Sequence, residues 1–311
     1  MSKGQSSRMV LVTGASSQIG VFLLPLLQEH GFTVRALSRS APSRPLAVSA
    51  GVCWARPESE LSLAPDTGLE QPAFLVSAGP PSLARSLLER HGTLRTAVVF
   101  TTTSIFSKAE SGSGPERAQV AEIKAQEELL KSQCRAQGVT LVLIRPTLIY
   151  GCGLDRNVSL LYRFGQKHGV IPLSSRAGGL RQPVHAADLA GLALCALGFH
   201  GALLLEGQAC GGSTLSYREM VARVAACGPR RVRLLRLPPA LLAGALKLLS
   251  AARIARGLTS AMVRRQSQDL VFDDRVFRQT LDWRSRPFTP SASDFEIPRA
   301  PGELRLPQHG A

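Results

Sequence analysis

The chain has 311 residues, 44% of them hydrophobic and 19% charged, with 37 Lys and Arg against 22 Asp and Glu for a net charge of +15. This composition excludes a disordered chain and suffices for one large core, or a core with a smaller lobe. A pI near 10.6 points to an anionic partner: a phosphorylated ligand, a membrane surface or nucleic acid.

No apolar run reaches the roughly 18 residues that a spanning helix needs. The opening M-S-K-G-Q-S-S-R has no apolar signal segment, so the expectation is a cytoplasmic protein. Residues 1–7 and 301–311 read as flexible tails. Six cysteines (Cys53, Cys134, Cys152, Cys195, Cys210, Cys227) lie scattered, without C-x-x-C or Cys/His spacing. They read as buried free thiols, and no metal site is expected.

Met9 to Val12 is a short apolar run, as a buried parallel strand requires. T-G-A-S-S-Q-I-G follows from Thr13 to Gly20, and then a helix with Ile19, Leu23, Leu26 and Leu27 on one face. Gly31 closes that helix. Pro25 lies inside it and should kink it or sit where a backbone bond is already missing. Thr33 to Leu37 is the second strand. Gly14 and Gly20 let the backbone turn sharply and approach a pyrophosphate at the helix N-terminus, with Ser16 and Ser17 between them. A glycine turn between a strand and an amphipathic helix is a dinucleotide-binding signal.

The residue after the second strand selects the cofactor. A carboxylate there would hold the ribose hydroxyls of NAD, whereas arginine accommodates a 2′-phosphate. The sequence has Arg39, with Arg35 or Arg44 to assist and no carboxylate nearby. NADP(H) is therefore favoured over NAD(H).

Further strands are expected at Phe74–Ala78, Ala97–Phe100 and Leu141–Ile144, with helices at Pro81–His91 and Pro115–Gln137 between them. The alternation predicts a Rossmann-type α/β fold: a doubly wound parallel sheet with a smaller C-terminal α/β substrate lobe. Residues 8–151 make the main part of the dinucleotide domain and 152–300 the lobe, with 181–205 returning to the sheet. Ligands of such sheets sit at the C-terminal strand ends. Those ends carry Ala78, Gly79 and Pro80, then Thr101 to Thr103, then Arg145, Pro146 and Thr147.

The glycine turn, the A-G-P at 78–80, T-T-T-S-I-F at 101–106, Lys124 with Glu128 behind it, I-R-P-T-L-I-Y-G at 144–151 and R-Q-P-V-H-A-A-D-L-A at 181–190 occur in that order. Together they resemble the extended short-chain dehydrogenase/reductases, in particular the NAD(P)-dependent sugar-nucleotide epimerase/dehydratase group. The resemblance implies that Thr102 hydrogen-bonds a substrate hydroxyl or carbonyl. It also implies that Lys124 binds the nicotinamide ribose, and that Arg181 contacts a sugar-nucleotide diphosphate. Asp188 is a plausible helix N-cap, and His185 reads as structural.

The departure is at position 120. The group's catalytic tyrosine would stand four residues before the lysine, and this chain has Val120, which cannot carry a proton. No tyrosine occurs from 101 to 149. Tyr150 is a speculative substitute, and Arg117 or Glu122 are others. The expectation is an epimerase/dehydratase-like oxidoreductase on a nucleotide- or polyprenyl-linked sugar, with a non-standard proton-transfer arrangement. The rival is a non-catalytic NADP(H)-binding regulatory or assembly protein.

In the C-terminal part, Ser216 and Glu219 form a capping-box pattern. R-R-V-R-L-L-R-L reads as a strand with a basic face, and Pro238 to Arg256 as a leucine-rich helix. Between Arg218 and Arg286 fifteen Lys and Arg stand against five Asp and Glu. This charge serves either an arginine-lined pocket for phosphates or contact with an anionic membrane through Arg230, Arg231, Arg233, Arg236, Lys247, Arg253 and Arg256. Nucleic acid is the weaker reading, since aromatics are only 5% and no groove-reading motif appears. Self-association into a homo-oligomer is left open.

Overall fold

The computed structural model describes residues 8–39, 52–62, 70–109, 111, 113–244 and 260–297. Seven strands form one sheet: β1 (Met9–Thr13), β2 (Thr33–Leu37), β3 (Val52–Ala55), β4 (Phe74–Ser77), β5 (Thr96–Phe100), β6 (Thr140–Pro146) and β11 (Leu204–Ala209). Their order is β11-β6-β5-β4-β1-β2-β3, and every pairing is parallel. All residues of β1 and β5 are buried, as continuous apolar runs demand when helices cover both faces.

Helices α1 (Gln18–Glu29), α2 (Pro57–Leu61), α3 (Pro81–Arg90), α4 (Ser104–Ser107) and α5 (Gly114–Gln137) follow in the first half. Helix α7 (Ala186–Leu197) packs with α1. Their side chains Phe22, Leu26, Leu189 and Leu192 meet Val10, Val12, Val76 and Val98 in one core. On the other sheet face Leu87 of α3 and Leu130 of α5 meet Leu11, Leu75, Val99 and Leu143. Helix α1 runs through Pro25. The proline gives up one intrahelical bond, and burial of Phe22, Leu23, Leu26 and Leu27 holds the helix in place. Gly31, at φ +73°, turns the chain out of the helix.

Strand order reverses between β1 and β4, so their connections leave in opposite directions and open a crevice at the C-terminal ends. The Thr13 and Ser77 hydroxyls hydrogen-bond at 2.8 Å across those two ends. Strand β11 pairs with β6, Leu204 opposite Leu141, which brings a distant part of the chain to the sheet edge.

The two-residue strands β7 (Ile149–Tyr150) and β10 (Val184–His185) pair with each other, as do β9 (Leu180–Arg181) and β12 (Leu215–Ser216). The lobe is built on α6 (Val158–His168), β8 (Val170–Ser174), α8 (Tyr217–Ala226) and β13 (Arg233–Leu237). Its core gathers Tyr150, Tyr162, Ile171, Met220, Phe288 and Phe295. Strand β13 pairs in parallel with β8 and leaves Arg233 and Arg236 exposed. Ser216 caps α8 by accepting from the Glu219 N–H at 3.1 Å. The Glu219 carboxylate turns instead to Arg223 at 2.8 Å. Beyond residue 244, the segment read as a leucine-rich helix lies outside the described residues, and so do Lys247, Arg253 and Arg256. No helix among the described residues is long and apolar enough to cross a membrane.

Candidate functional site

At the switch point the glycine turn is fixed by sterics. Gly14 has φ +63°, and a Cβ there would stand 2.7 Å from the Ala78 carbonyl carbon and oxygen. A Cβ on Gly20 would lie 2.2 Å from the Ala15 oxygen. Ser17 caps α1, its Oγ accepting from the Gly20 N–H at 3.3 Å. The Ser16 and Ser38 hydroxyls meet at 2.9 Å, joining the turn to the end of β2.

A cavity of about 270 Å³ follows this turn, walled by Ser17, Gln18, Ala78, Gly79, Thr102 and Pro146 and closed by Thr101, Ile123 and Ile149, among others. Of the sequence-expected cofactor residues, Ser17, Ala78, Gly79 and Pro146 come together here. Thr102 joins them, its Oγ1 accepting from the Ser104 N–H at 3.0 Å. Two side-chain oxygens on the wall, Gln18 Oε1 and Thr101 Oγ1, are buried and have no hydrogen-bond partner. The sequence places Thr101 at a strand end and Gln18 in the glycine turn, but assigns a role to neither side chain.

Helix α5 corrects the register taken from the sequence. Its buried positions are Val120, Glu127, Leu130 and Cys134. Ile123 lines the cavity, whereas Lys124 is exposed and does not line it. Glu128 is exposed, and the buried carboxylate of α5 is Glu127. It accepts from Arg145 Nε at 3.1–3.2 Å and from Arg145 Nη2 at 2.6 Å. Arg145 also reaches Glu206 at 2.8 Å. This buried pair pins α5 to the end of β6 and sets which face looks into the cleft. Spacings of four and three residues along Val120, Ile123, Glu127 and Leu130 were the signal that could have found it.

Four other expectations are corrected. Tyr150 is 1% exposed and is seated edge-on against His185 and Phe288, with ring centroids 5.0 and 4.9 Å away. Burial pushes its hydroxyl pKa well up, and it belongs to the core of the lobe rather than to the lining of the cleft cavity. Arg35 is committed to Glu60 at 2.8 Å and is buried, so it has no free guanidinium for a phosphate. Arg44 lies outside the described residues. Asp188 is not the α7 cap. His185 is, its Nδ1 accepting from the Ala187 N–H at 3.0 Å, while its Nε2 faces Asp294 at 3.3 Å. Asp188 instead receives the Arg286 backbone N–H and guanidinium at 2.7–2.9 Å. Arg117 and Glu122 are exposed on α5 and do not line the cleft cavity.

Arg39 stands exposed just past β2. Arg181 is 5% exposed and donates to the carbonyls of Leu180 and Gln268, each at 2.7 Å, and of Arg265. Burial lowers its pKa. It lines two further cavities, of about 270 and 260 Å³, that lead from the cleft into the lobe. Lys108 and Arg265 line the inner one. Both flank Glu116, at 3.6 and 2.8 Å, and the hydrogen bond from Arg265 holds that carboxyl down at about 2.

No protein-family model matches the chain, and no curated protein matches it. Solved structures do. The UDP-glucose 4-epimerase of Thermotoga maritima, solved with UDP-glucose, aligns over 93% of this chain and 96% of its own, with a TM-score of 0.67 at 13% identity. The chain shares the fold of the UDP-sugar epimerases. MoeE5, solved with UDP-glucuronic acid and NAD, gives a TM-score of 0.66 at 17% identity over 93% of this chain and 97% of its own. The UDP-N-acetylglucosamine 4-epimerase from Bacillus cereus gives 0.64 at 14% identity over 93% and 94%. At these identities the likeness is one of fold.

Proposed function

We propose that the protein binds a nicotinamide dinucleotide along the cleft as an epimerase- or dehydratase-like oxidoreductase would, with an anionic sugar conjugate, nucleotide- or lipid-linked, as second ligand. The observation that carries this reading is the pair of buried, unpartnered oxygens, Gln18 Oε1 and Thr101 Oγ1, on the wall of the cleft cavity. An unsatisfied buried polar atom costs about 1–3 kcal/mol, and a ligand that offers N–H or O–H groups there removes that cost. The residues fit a dinucleotide: Gly14 and Gly20 leave no room for side chains, Ser16 and Ser17 offer hydroxyls, and Ala78, Gly79 and Pro146 form a close wall. When bound, the dinucleotide supplies hydride donor or acceptor chemistry.

NADP(H) is the preferred form. Arg39 stands at the end of β2, and no carboxylate lies at positions 37–39, where a 2′-phosphate or a ribose is discriminated. Arg39→Asp should cut the NADPH-over-NADH preference at least tenfold in fluorescence titrations. An unchanged preference sinks the assignment.

Among the described residues, no Asp, Glu, His, Lys, Tyr or Cys lines the cleft cavity. Loss of a positioned acid or base costs about 10²–10⁴-fold in rate, so any turnover is slow and passes its proton through water or ligand. This lining favours a second reading, a regulatory or assembly protein that holds NADP(H) without turning it over. Incubation with NADP⁺ and a panel of UDP-sugars separates the two. Sustained NADPH formation or an epimerised product overturns the second reading. A peripheral contact with anionic membrane is supported by exposed Arg233, Leu235 and Arg236 on β13. Failure to float with anionic liposomes at low salt rules it out.

A further inference from the structure

The two cavities that lead from the cleft into the lobe differ in chemistry. They share six residues, four of them polar: Ser104, Ser107, Asn157 and Arg181. Twelve residues line the inner cavity alone, and eight of those are apolar. Leu160, Leu161 and Phe164 come from α6, Ile171 from β8, Met220 from α8, and Leu242 closes the set. Ile171 and Met220 belong to the lobe core, with Leu161 packed on it. Such a wall offers almost no hydrogen-bond partners to a sugar or a pyrimidine ring, and burying their polar groups unpaired is costly.

The cations are at the other end. Lys108 follows Ser107, which lines both cavities, and the Arg265 carbonyl accepts from Arg181, which also lines both. Between them sits one carboxylate, Glu116. Two cations against one anion leave a positive surplus beside residues that both cavities share.

We propose that the lobe cavity binds an amphiphilic anion, with a hydrocarbon body among Leu160, Leu161, Phe164, Ile171, Met220 and Leu242 and a phosphate or carboxylate at Lys108 and Arg265. It rests on the dinucleotide reading only for the ligand's orientation, the end beyond the anion facing Thr102. Of the two sugar conjugates above, this chemistry selects the lipid-linked one.

The test is calorimetry on the full chain with hexyl, octyl and decyl phosphate below their micellar concentrations, with decanoate and UDP for comparison. Each methylene that enters the cavity should tighten binding by up to about fourfold until the cavity is full. Decanoate equal to or tighter than decyl phosphate assigns the anion to a fatty carboxylate, and the reverse to a lipid phosphate. Either outcome supports the proposal. Leu161→Asp should flatten the chain-length dependence, and Lys108→Glu should weaken every member of the series. Should Leu161→Asp not fold, Leu160→Trp, which fills the cavity, should shorten the longest chain that still gains affinity. UDP binding tighter than every alkyl phosphate, or affinity independent of chain length, overturns the proposal. An NADPH titration on the same protein keeps the two claims apart: its failure sinks the dinucleotide reading and leaves the chain-length result standing.

Discussion

The register of α5 can be tested by comparing Glu127→Gln with Glu128→Gln. The Glu127 and Arg145 side chains are 3% and 8% exposed, and they share three hydrogen bonds of 2.6–3.2 Å. Breaking a buried ion pair costs about 3–5 kcal/mol when the surviving charge is left alone. Arg145 would keep Glu206 at 2.8 Å, a carboxylate whose side chain is 36% exposed, so the expected cost falls to about 2–3 kcal/mol. For a chain of 311 residues that is a fall in melting temperature of about 3–5 °C. Glu128 is 72% exposed and meets only Lys131 at 3.0 Å. Its loss should cost less than about 0.5 kcal/mol. Thermal unfolding followed by circular dichroism reads both variants. A Glu128→Gln protein that melts as low as Glu127→Gln would refute the register and return Lys124 to the cleft.

Three further outcomes follow from the site. Gly14→Ala places a methyl 2.7 Å from the Ala78 carbonyl at a backbone φ of +63°; it should weaken NADPH binding at least tenfold with the far-ultraviolet spectrum intact, as read by fluorescence titration. Tyr150→Phe keeps the ring packed against His185 and Phe288. It should leave NADPH affinity and any turnover within about twofold, while Tyr150→Ala costs about 3–5 kcal/mol in denaturant unfolding. Glu116, with its carboxyl held down at about 2 by Arg265, stabilises the fold above its ordinary pKa of 4.5. That contribution is lost as pH falls from about 4.5 towards 2. Glu116→Gln should therefore show a smaller drop in melting temperature between pH 6 and pH 3 than the wild type.

Much of the sheet was legible because its signals are local. The apolar runs of β1, β2, β4, β5 and β6 and the glycine turn are each complete within a few residues. Strand β3 was passed over, since V-C-W-A is only four residues long and none of them is buried. The site was less legible, because it depends on which face of a helix turns inward. Lys124 and Ile123 are neighbours in sequence, yet a step of one residue swings a side chain about 100° around the helix, and the buried Glu127–Arg145 pair decides which faces the cleft. Arg35, Tyr150 and Arg181 have the residue types that chemistry wants, but their partners Glu60, Phe288 and Gln268 lie far off in sequence. No local pattern announces such contacts. Gln18 and Thr101 lie in the glycine turn and the T-T-T-S-I-F stretch, yet only burial without partners singles out their side chains.

The most direct measurement is a calorimetric titration of NADPH into the full-length protein. The prediction is saturable one-site binding, weakened at least tenfold in Gly14→Ala. Absence of any saturable binding to the folded wild-type protein at millimolar NADPH would contradict it.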